Sequence, residues 1–506
     1  MSIKRAPKPA IAGSATLARQ QGAIMNAPAL SSAELAIPAE FQACFAAQRA
    51  AFLEAPEPSH AERLADLKAL RRLVKDNQAA IVAAINADYG NRSAFETTFG
   101  EVYSVLDGVH DATRRLKGWM KPRRRSVDHL TFPGASNRVI PQPLGVVGVI
   151  VPWNFPLQLS VSPLVSIFAA GNRAMVKMSE NSQHLAELMI GISLKYFPQD
   201  KLAFFDDGGG RGPAFSSLPF DHLIFTGSGG TGRAVMANAA RNLTPVTLEL
   251  GGKSPAIVAP DFPIKTAAER ILWAKTFNAG QVCLAVDHVF LPRRAESEFV
   301  AECRRLLAKR YPDINGPDFT SIIDQRSYDR LMAALEDARA KGATLINLAD
   351  GQTPDASKRK FPPHLILNPT ADMEVMRREI FGPILPVQLY DRPQEVLDAI
   401  NAGDRPLAIY PFTNKAETRD FYIARTRSGG VSVNDAIMHI AQHDLPFGGT
   451  GASGMGHYHG REGFDTFSKL RPVFQQGRLS AVQMMLQPPY TGFSRRVVDF
   501  MIRMKS

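Results

Sequence analysis

Cysteine is scarce in this chain, and one of its three cysteines, Cys283, lies in a short segment with several small and amide residues. The segment reads FNAGQVCLA (residues 277–285) and places Asn278, Gly280 and Gln281 just before the thiol. A free cysteine is often simply a small buried side chain. A thiol can also be a nucleophile, because its thiolate attacks carbonyl carbons readily and leaves well from a thioester. The segment alone leaves both interpretations open.

A glycine-rich turn is the second candidate for chemistry. Gly227, Gly229 and Gly232 form a GxGxxG pattern after the apolar segment HLIFTG and before a helical segment. Glycines there let the backbone approach a pyrophosphate, whose charge then lies at the helix N-terminus. A tight turn without a ligand is the alternative. With one unusual cysteine, the pattern suggests a thiol-using dehydrogenase. A thiol hydrolase remains open, although no histidine lies near Cys283 in sequence to activate the sulfur.

Strands and helices alternate in the segments that must position these residues. Ser59 and Glu62 have the spacing of a capping box at the start of a helix. Residues 144–151 form a continuous apolar run, typical of a strand buried on both faces of a parallel sheet. Further strands are predicted at 173–178, 222–227 and 246–250, with helices at 157–170, 183–196 and 232–242. The alternation predicts an α/β fold with a doubly wound sheet.

Bulk properties exclude several classes of protein. The 506 residues are 45% hydrophobic and 21% charged, as in a globular protein of two or three domains. The net charge of +11 comes mostly from the ends, with +4 in residues 1–33 and +5 in residues 471–506. We therefore expect no nucleic-acid partner. No apolar run is long enough for a transmembrane helix.

The cysteine count and the N-terminal composition bear on the compartment and on the ordered region. Three widely spaced cysteines provide neither a disulfide framework nor metal-ligand spacing, so we expect no metal and a cytoplasmic location. Residues 1–39 are rich in Ala, Pro and Ser, and we expect them to form a disordered extension. Met25 is an alternative start.

Six motifs occur in the order shown by the aldehyde dehydrogenase superfamily. They are PWNFP (152–156), FTGS (225–228), LELGGKSP (248–255), FNAGQVCLA (277–285), EIFGP (379–383) and LPFGGTGASGMGHYHGREGFDTFSK (445–469). The last resembles the class 3 branch. NRVIPQPLGVVGVIVPWNFP and NLTPVTLELGGKSPAIV are most similar to segments of bacterial coniferyl aldehyde dehydrogenases. The resemblance runs from about Ser59 to about Val473.

The resemblance implies three catalytic residues. Cys283 matches the nucleophile that forms a thiohemiacetal and then a thioester. Asn154 matches the amide that stabilises the oxyanion together with the backbone N–H of Cys283. Glu249 matches the base that activates water for hydrolysis of the thioester. Without the motifs, Asn154 would be interpreted as a turn residue and Glu249 as a strand-end carboxylate paired with Lys253.

The resemblance also implies a dinucleotide site and its contacts. Lys177 and Glu180 match the pair that binds the adenosine ribose; alone, they would be interpreted as a solvated pair. The remaining matches are Ser228 at the pyrophosphate within the turn Gly227–Gly232, Glu379 at the nicotinamide ribose, and Phe381 packed beside it. A carboxylate near the 2′-hydroxyl repels a 2′-phosphate, so we expect NAD as cofactor, with NADP as the alternative.

Three positions depart from the family pattern. Met178 stands where proline is frequent, and Gly229 stands where a Ser-Thr pair would place threonine. FFDDGGGRG (204–212) replaces a less glycine-rich connection and introduces Asp206 and Asp207. We expect this segment to be a flexible surface loop. None of these departures removes a catalytic group.

The resemblance predicts an aldehyde dehydrogenase-like fold: a Rossmann-type cofactor domain, a second α/β catalytic domain and a small β bridging element. The expected bounds are 40–125 and 144–248 for the NAD-binding domain, 249–430 for the catalytic domain, 126–143 and 431–475 for the bridging element, and 476–506 for a basic tail. The class 3 relationship implies a homodimer. SRRVVDFMIRMKS (494–506) is too short and charged to span a bilayer but suits weak peripheral membrane contact.

The expected reaction is NAD(P)-dependent oxidation of an aldehyde to its acid. The expected substrate is aromatic, of the coniferyl aldehyde type, because the tunnel would be lined near Phe155 and by the mostly apolar segment 434–444 with His439 and His443. A medium- or long-chain aliphatic aldehyde is one alternative, and a catalytically silent structural relative is another. Transfer of the acyl group to coenzyme A or phosphate is a third, which the retention of Glu249 disfavours.

Overall fold

The structure, a computed structural model, describes residues 36–129, 131–478 and 487–505. Of the predicted N-terminal extension, residues 1–35 lie outside the described residues, as does the alternative start at Met25. The first helix begins at Ala39. The second begins after the predicted capping box, in which Ser59 and Glu62 bond each other's backbone N–H groups. The capping box is therefore confirmed.

Sixteen helices are followed by a separate C-terminal helix in the described residues. They are α1 Ala39–Glu54, α2 His60–Asp76, α3 Gln78–Tyr89, α4 Ala94–Thr97, α5 Ser104–Trp119, α6 Pro156–Ala169, α7 Gln183–Ser193, α8 Gly212–Ser216, α9 Gly229–Ala240, α10 Ile264–Thr276, α11 Glu296–Arg310, α12 Gln325–Ala340, α13 Glu374–Arg377, α14 Pro393–Ala402, α15 Ala416–Arg425, α16 Gly460–Thr466 and the C-terminal helix Gly492–Lys505. A π-helical turn, Thr98–Tyr103, joins α4 to α5, and a 3₁₀ turn, Phe277–Gly280, follows α10.

The same residues form sixteen strands. They are β1 Arg123–Arg125, β2 Ser136–Pro143, β3 Val146–Ile150, β4 Arg173–Lys177, β5 Leu202–Phe205, β6 His222–Gly227, β7 Val246–Leu250, β8 Pro255–Val258, β9 His288–Pro292, β10 Thr344–Asn347, β11 His364–Leu367, β12 Ile384–Tyr390, β13 Ala408–Phe412, β14 Gly430–Val431, β15 Gly454–Met455 and β16 Ser468–Gln475.

The first large sheet has the order β15-β7-β6-β3-β4-β5. Its five consecutive strands β3–β7 are parallel, and only β15 is antiparallel. The chain moves outward from β3 to β5 and then returns to the other side of β3, which is the doubly wound order predicted. All five residues of β3 are buried because helices cover both faces.

One strand of this sheet was missed. Phe204 and Phe205 belong to β5, whereas the sequence interpretation placed them in a surface loop. The strand has four residues without polar alternation and ends at an Asp-Asp-Gly run, so no periodicity distinguished it. The glycine-rich part of the segment does form a turn, in which Gly208, Gly209 and Gly210 have positive φ.

The second large sheet has the order β10-β11-β12-β9-β8-β13-β14 and is parallel except for the β10–β11 pair. Strand β8 begins five residues after β7 ends, so the chain passes directly from the first sheet to the second at Gly251–Ser254. Cys283 lies between α10 and β9 of this second unit. The carboxyl end of β7 therefore carries the candidate carboxylate, Glu249, and the segment before β9 carries the candidate thiol, Cys283.

A third, three-stranded antiparallel sheet has the order β1-β2-β16. Strands β2 and β16 pair over eight residues, from Ser136↔Gln475 to Pro143↔Ser468. The outer strand β16 is mostly exposed. Among the described residues, none of the helices combines the length and the apolar character that a membrane crossing requires.

Candidate active site

The three residues expected to carry chemistry meet in one cavity. Asn154, Glu249 and Cys283 all line it, although they come from the β3–α6 connection, β7 and the α10–β9 connection. The remaining wall is largely aromatic and aliphatic, including the stacked rings of Phe155 and Phe277. A concave apolar site with a few convergent polar groups is the usual form of a small-molecule pocket.

The backbone before Cys283 adopts an unusual left-handed turn. Asn278, Ala279 and Gly280 have φ values of 51°, 51° and 73°. A Cβ atom on Gly280 would stand 2.5 Å from the carbonyl oxygen of Gly382. Glycine is therefore required by both backbone conformation and space, which explains the small residue in the segment that drew attention in the sequence.

Two amide side chains fix this turn. Asn278 Nδ2 donates to the carbonyl oxygens of Gln281 (3.1 Å) and Asn154 (3.2 Å). Gln281 Nε2 donates to the carbonyls of Asn278 (3.0 Å) and Ser321 (3.1 Å), while its Oε1 accepts from the N–H of Ile323 at 3.0 Å. Both amides are fully buried, so these bonds hold the segment that positions Cys283.

Hydrogen bonds to its carbonyl oxygen and from its side chain hold Asn154 in place. Its carbonyl oxygen accepts from Tyr89 Oη at 3.1 Å as well as from Asn278. Its side-chain Nδ2 donates to the Gln281 carbonyl at 3.2 Å and lies at the cavity wall. An amide N–H fixed in this way can stabilise an oxyanion that forms on a carbonyl bound at Cys283.

A buried ion pair that the motifs did not reveal supports the Asn154 turn. Arg92 and Glu101 are completely buried and 2.6 Å apart. Glu101 Oε2 accepts from the N–H groups of Leu157 (2.7 Å) and Gln158 (3.1 Å), so it caps the start of α6. The arginine plane also lies over the Phe155 ring. Neither residue belongs to a recognised motif, and Glu101 lies 56 residues before Leu157 in the chain, so no local spacing links it to α6.

Glu249 is buried without a hydrogen-bond partner for either carboxylate oxygen among the described residues. Burial raises the pKa of its carboxyl well above the usual value. The alternative pairing with Lys253 is wrong, because Lys253 forms its ion pair with Asp287 and donates to the carbonyls of Val375 and Arg378. Lys253 is thus occupied in supporting the loop before Glu379, and Glu249 is left as a desolvated proton acceptor.

Burial raises the pKa of the Cys283 thiol to about 12, and the negative charges of Glu379 and Glu249 add to the effect. The thiol is therefore protonated at neutral pH in the form of the protein described. Attack on a carbonyl requires the thiolate. The charge of the buried Glu249 carboxyl acts on this sulfur, so Glu249 is the candidate to accept the thiol proton.

The residues expected at the ribose lie at the carboxyl edge of the first sheet. Lys177 ends β4, and Glu180 follows three residues later with its Oε2 accepting from Ser179 Oγ at 3.0 Å. Lys177 is buried and forms an ion pair with Asp207. Lys177 and Glu180 therefore do not form the solvated pair that the alternative interpretation describes.

Ser228 begins α9 as its N-cap, accepting from the N–H of Thr231 at 3.3 Å. Gly230, in the first turn, has open space around its missing side chain, so a ligand can approach the helix N-terminus. Gly227 and Gly232 have a different role: Cβ atoms there would lie 2.6 Å from Phe225 and 2.8 Å from Leu250. These two glycines permit close helix–strand packing, and the turn fits a pyrophosphate through Ser228 and the free N–H groups.

Glu379 and Phe381 lie in the connection between α13 and β12, outside the residues that line the cavity. Glu379 contacts Gly251, where any side chain would collide with its carboxylate. Burial and the nearby charge of Asp287 raise the pKa of Glu379 to about 8. Phe381 has a left-handed φ of 47°, and its ring meets Trp153 edge-on at 5.4 Å. Phe381 thus contacts the PWNFP segment, and Glu379 contacts the connection between β7 and β8.

The predicted lining of the substrate cavity is partly wrong. His443 lines the cavity, and its Nε2 lies 2.9 Å from Asp107 Oδ2. His439 is instead buried beside Ser432, whose Oγ lies 2.9 Å from its Nδ1, and it does not line the cavity. A turn at Ile437 with φ 70° rotates the segment so that Met438 faces the cavity. Tyr458 is a lining residue that the sequence interpretation missed.

Comparisons with known proteins agree with this architecture. A sequence profile of the aldehyde dehydrogenase family matches residues 25–473. A Pseudomonas aeruginosa protein named "Probable coniferyl aldehyde dehydrogenase" is 49% identical, over 89% of this chain and 94% of its own. The mouse protein "Aldehyde dehydrogenase family 3 member A2" is 36% identical, over 84% of this chain and 87% of its own.

Solved structures show the same fold. The substrate-bound state of Staphylococcus aureus AldH has a TM-score of 0.85 and 32% identity, covering 91% of this chain and 99% of that one. Mycobacterium tuberculosis aldehyde dehydrogenase complexed with NAD+ has a TM-score of 0.78 and 25% identity, covering 87% and 91%. The aldehyde dehydrogenase-like α/β fold expected from the motifs is therefore confirmed.

Proposed function

This chain belongs to the aldehyde dehydrogenase family, and from that membership we propose that Cys283, Asn154 and Glu249 together oxidise an aldehyde to its carboxylic acid. One observation carries the assignment of roles. The thiol, the amide and a buried carboxylate that has no hydrogen-bond partner in the described part of the chain line the same cavity. Burial of a carboxylate without a partner costs folding free energy, and such groups are found most often at functional sites.

The geometry supports the following roles. The Cys283 thiol loses its proton to Glu249 and its sulfur adds to the aldehyde carbon, while Asn154 Nδ2 and the Cys283 N–H stabilise the oxyanion. A nicotinamide held by Glu379 and Phe381 would supply the acceptor for the hydride that leaves the bound carbon, so that a thioester would remain on Cys283. Glu249 then passes the thiol proton to solvent and takes another from water, whose oxygen attacks the thioester carbon. The C–S bond breaks to release the acid, and the Cys283 sulfur takes up the proton held by Glu249.

We assign the cofactor as NAD, held at the carboxyl edge of the first sheet. Lys177 and Glu180 would bind the adenosine ribose, Ser228 and the start of α9 the pyrophosphate, and Glu379 and Phe381 the nicotinamide end. Lys177, Glu180 and Ser228 lie at or just after the ends of β4 and β6, beside the point where the sheet order reverses, the usual dinucleotide position. NADP is the alternative cofactor.

The substrate we propose is an aromatic aldehyde of the coniferyl type. The cavity wall supports this, since Phe155, Phe277 and Trp273 form a stacked series of rings beside Cys283. The 49% identical relative named for coniferyl aldehyde adds support. An aliphatic aldehyde is the second candidate, because most of the lining is apolar without being selective for rings. Comparison of kcat/KM for coniferyl aldehyde, benzaldehyde, hexanal and decanal distinguishes the two.

Replacement of the thiol tests the assigned mechanism. Cys283→Ala should abolish NADH formation while NAD still binds, and Cys44→Ala, at a cysteine outside the cavity, should retain the original rate. Residual turnover of Cys283→Ala above about one part in a thousand, well above what removal of a nucleophile permits, would contradict the role of Cys283. Failure of the unaltered protein to oxidise any aldehyde while binding NAD would favour a silent relative.

Three further features belong to the proposal. We assign β3–β7 to a cofactor domain, β8–β14 to a catalytic domain, and β1, β2 and β16 to a bridging element.

The exposed outer strand β16, with Phe474 half exposed, supports contact with a second copy in a homodimer. Three unpaired cysteines support a reducing cytoplasmic location. The amphipathic C-terminal helix supports weak peripheral membrane contact.

A further inference from the structure

The FFDDGGGRG segment, in which this chain departs from its family, contacts the proposed ribose site. Lys177 is the last residue of β4 and pairs in register with Phe205, the last residue of β5. Asp207 follows two residues later and forms an ion pair with Lys177. Only 6% of the lysine side chain and 11% of the aspartate side chain are exposed. The Lys177–Asp207 ion pair is therefore largely buried at the carboxyl edge of the sheet.

The glycine turn fixes the Asp207 carboxylate in place. Asp207 Oδ2 accepts from the N–H of Gly210 at 3.0 Å, and the Asp207 carbonyl accepts from the N–H groups of Gly210 (3.1 Å) and Arg211 (3.0 Å). Oδ1 faces Lys177. A carboxylate held by its own turn and by a buried ammonium keeps one orientation, so its charge acts at a fixed point.

The second cation of this region is also occupied. Arg211 pairs with Glu40 and with Asp206. The contacts thus join two cations to three carboxylates, and Glu180 adds a fourth close in sequence to Lys177. Neither cation is available to neutralise a phosphate without first giving up its carboxylate partners.

We propose that Asp207 is a specificity residue that selects NAD against NADP. This inference rests on the proposed function, which puts the adenosine ribose at Lys177. The 2′-hydroxyl of NAD can donate a hydrogen bond to a carboxylate at this edge. The 2′-phosphate of NADP would instead meet a fixed negative charge, and the ammonium that could offset it is already paired with that charge.

Dissociation constants measured without aldehyde test the proposal independently of turnover. Calorimetric titration with NAD and NADP should show that Asp207→Asn lowers the Kd for NADP relative to that for NAD by about tenfold, the scale of one charge contact near a protein surface. Asp206→Asn is the matched control, since Asp206 pairs with Arg211 rather than with Lys177. It should leave the ratio of the two constants within about twofold, the spread expected for a surface ion pair.

A second variant separates the two contributions of Asp207. If the freed Lys177 binds the phosphate, the gain for NADP should disappear in Asp207→Asn combined with Lys177→Gln; if direct repulsion dominates, part of the gain should remain. Either result supports the proposal. An unchanged NADP/NAD ratio in Asp207→Asn, with an unchanged thermal midpoint, overturns it. Equal weakening of both cofactors also overturns it, because Asp207 would then only orient Lys177.

The outcome can be distinguished from failure of the proposed function. NAD-dependent aldehyde oxidation by the unaltered protein upholds the proposed function whatever the ratio in the variants. If the unaltered protein bound NADP as tightly as NAD, the proposal for Asp207 would be wrong, while the proposed aldehyde oxidation would be unaffected. Binding of neither cofactor would overturn both.

Discussion

Asn278 Nδ2 donates to the carbonyl oxygen of Asn154 over 3.2 Å and thereby joins the turn before Cys283, the proposed nucleophile, to the turn that carries the proposed oxyanion amide. The two turns come from different sheets, β3 in the first and β9 in the second. Few covalent constraints hold them together, because 124 residues separate the two asparagines. Buried hydrogen bonds must therefore set the distance between thiol and amide.

Asn278→Ala should lower kcat while cofactor affinity stays the same. The variant removes the donor to Asn154 and Gln281 but no group that touches substrate, so Asn278 is a positioning residue. A misplacement of about 1 Å at a reacting centre costs on the order of a hundredfold in rate. Steady-state kinetics, with calorimetric titration of NAD, measure the two quantities.

The control for this variant is Asn315→Ala, at a half-buried amide outside the cavity that donates to the Thr353 carbonyl and accepts from the Asp355 N–H. It should leave kcat unchanged. A loss in Asn278→Ala confined to the thermal midpoint, with kcat retained at a temperature where the protein is folded, would show that the bond serves stability alone.

Glu249→Gln should trap the acyl group on Cys283. The amide keeps the size of the side chain but cannot accept a proton from water, so thioester hydrolysis slows, by about a hundredfold or more for the loss of a general base. Mass spectrometry of protein quenched after mixing with NAD and aldehyde should show the mass of the acyl adduct. Absence of the adduct, with kcat also lowered, would place Glu249 at thiol deprotonation only.

The rate should also depend on pH through Glu249. Burial raises the pKa of this carboxyl, so a larger part of it is protonated at a given pH than for an exposed glutamate. Only the ionised form acts as a base. The hydrolysis rate should therefore rise as pH rises through the raised pKa, and this limb should disappear from the profile of Glu249→Gln.

Much of this arrangement follows from the sequence, for identifiable reasons. The doubly wound sheet is predictable because its strands are apolar runs separated by helical periods, as in residues 144–151. The proposed catalytic residues are found from the sequence because each stands in a contiguous motif. These motifs identify residue types and leave their mutual distances to the fold.

The features that sequence reasoning missed depend on strand register or long-range pairing. Asp207 meets Lys177 only because β5 pairs with β4 so that Lys177 aligns with Phe205. Arg92 and Glu101 are charged residues that would normally be assigned to a solvated face, and their burial depends on the start of α6 reaching Glu101. His439 was misplaced because a backbone reversal at Ile437 cannot be inferred from its residue type.

Gly280→Ala should destabilise the protein more than an equivalent change elsewhere. Gly280 and Gly342 both have left-handed φ, 73° and 86°. A Cβ on Gly280 would meet the Gly382 carbonyl at 2.5 Å, whereas nothing lies within 4 Å of one on Gly342. Left-handed backbone costs alanine about 1–2 kcal/mol, so Gly342→Ala should lose that amount of unfolding free energy and Gly280→Ala more.

Urea denaturation of both variants measures the difference. Activity provides a second measure, since only Gly280→Ala should lower kcat, by moving the turn that precedes Cys283. Equal losses of stability with equal kcat would show that the contact with Gly382 relaxes without effect and that the requirement for glycine is conformational alone.

The C-terminal helix should bind anionic lipid surfaces. Phe493, Phe500 and Met504 are exposed and lie on one face at helical spacing, while Val498 lies on another. Four basic residues accompany them: Arg495, Arg496, Arg503 and Lys505. Apolar rings and cations on one short helix favour the interface of a negatively charged bilayer, at about 1 kcal/mol for each basic residue near the surface.

Sedimentation with vesicles of phosphatidylcholine, with and without phosphatidylserine, should show binding only to the anionic vesicles, weakened by salt. Phe493→Ser combined with Phe500→Ser should abolish it, and Val498→Ser should retain it. Equal binding by all three forms would assign the interaction to charge elsewhere on the protein, and no binding by any form would leave this helix without a role at membranes.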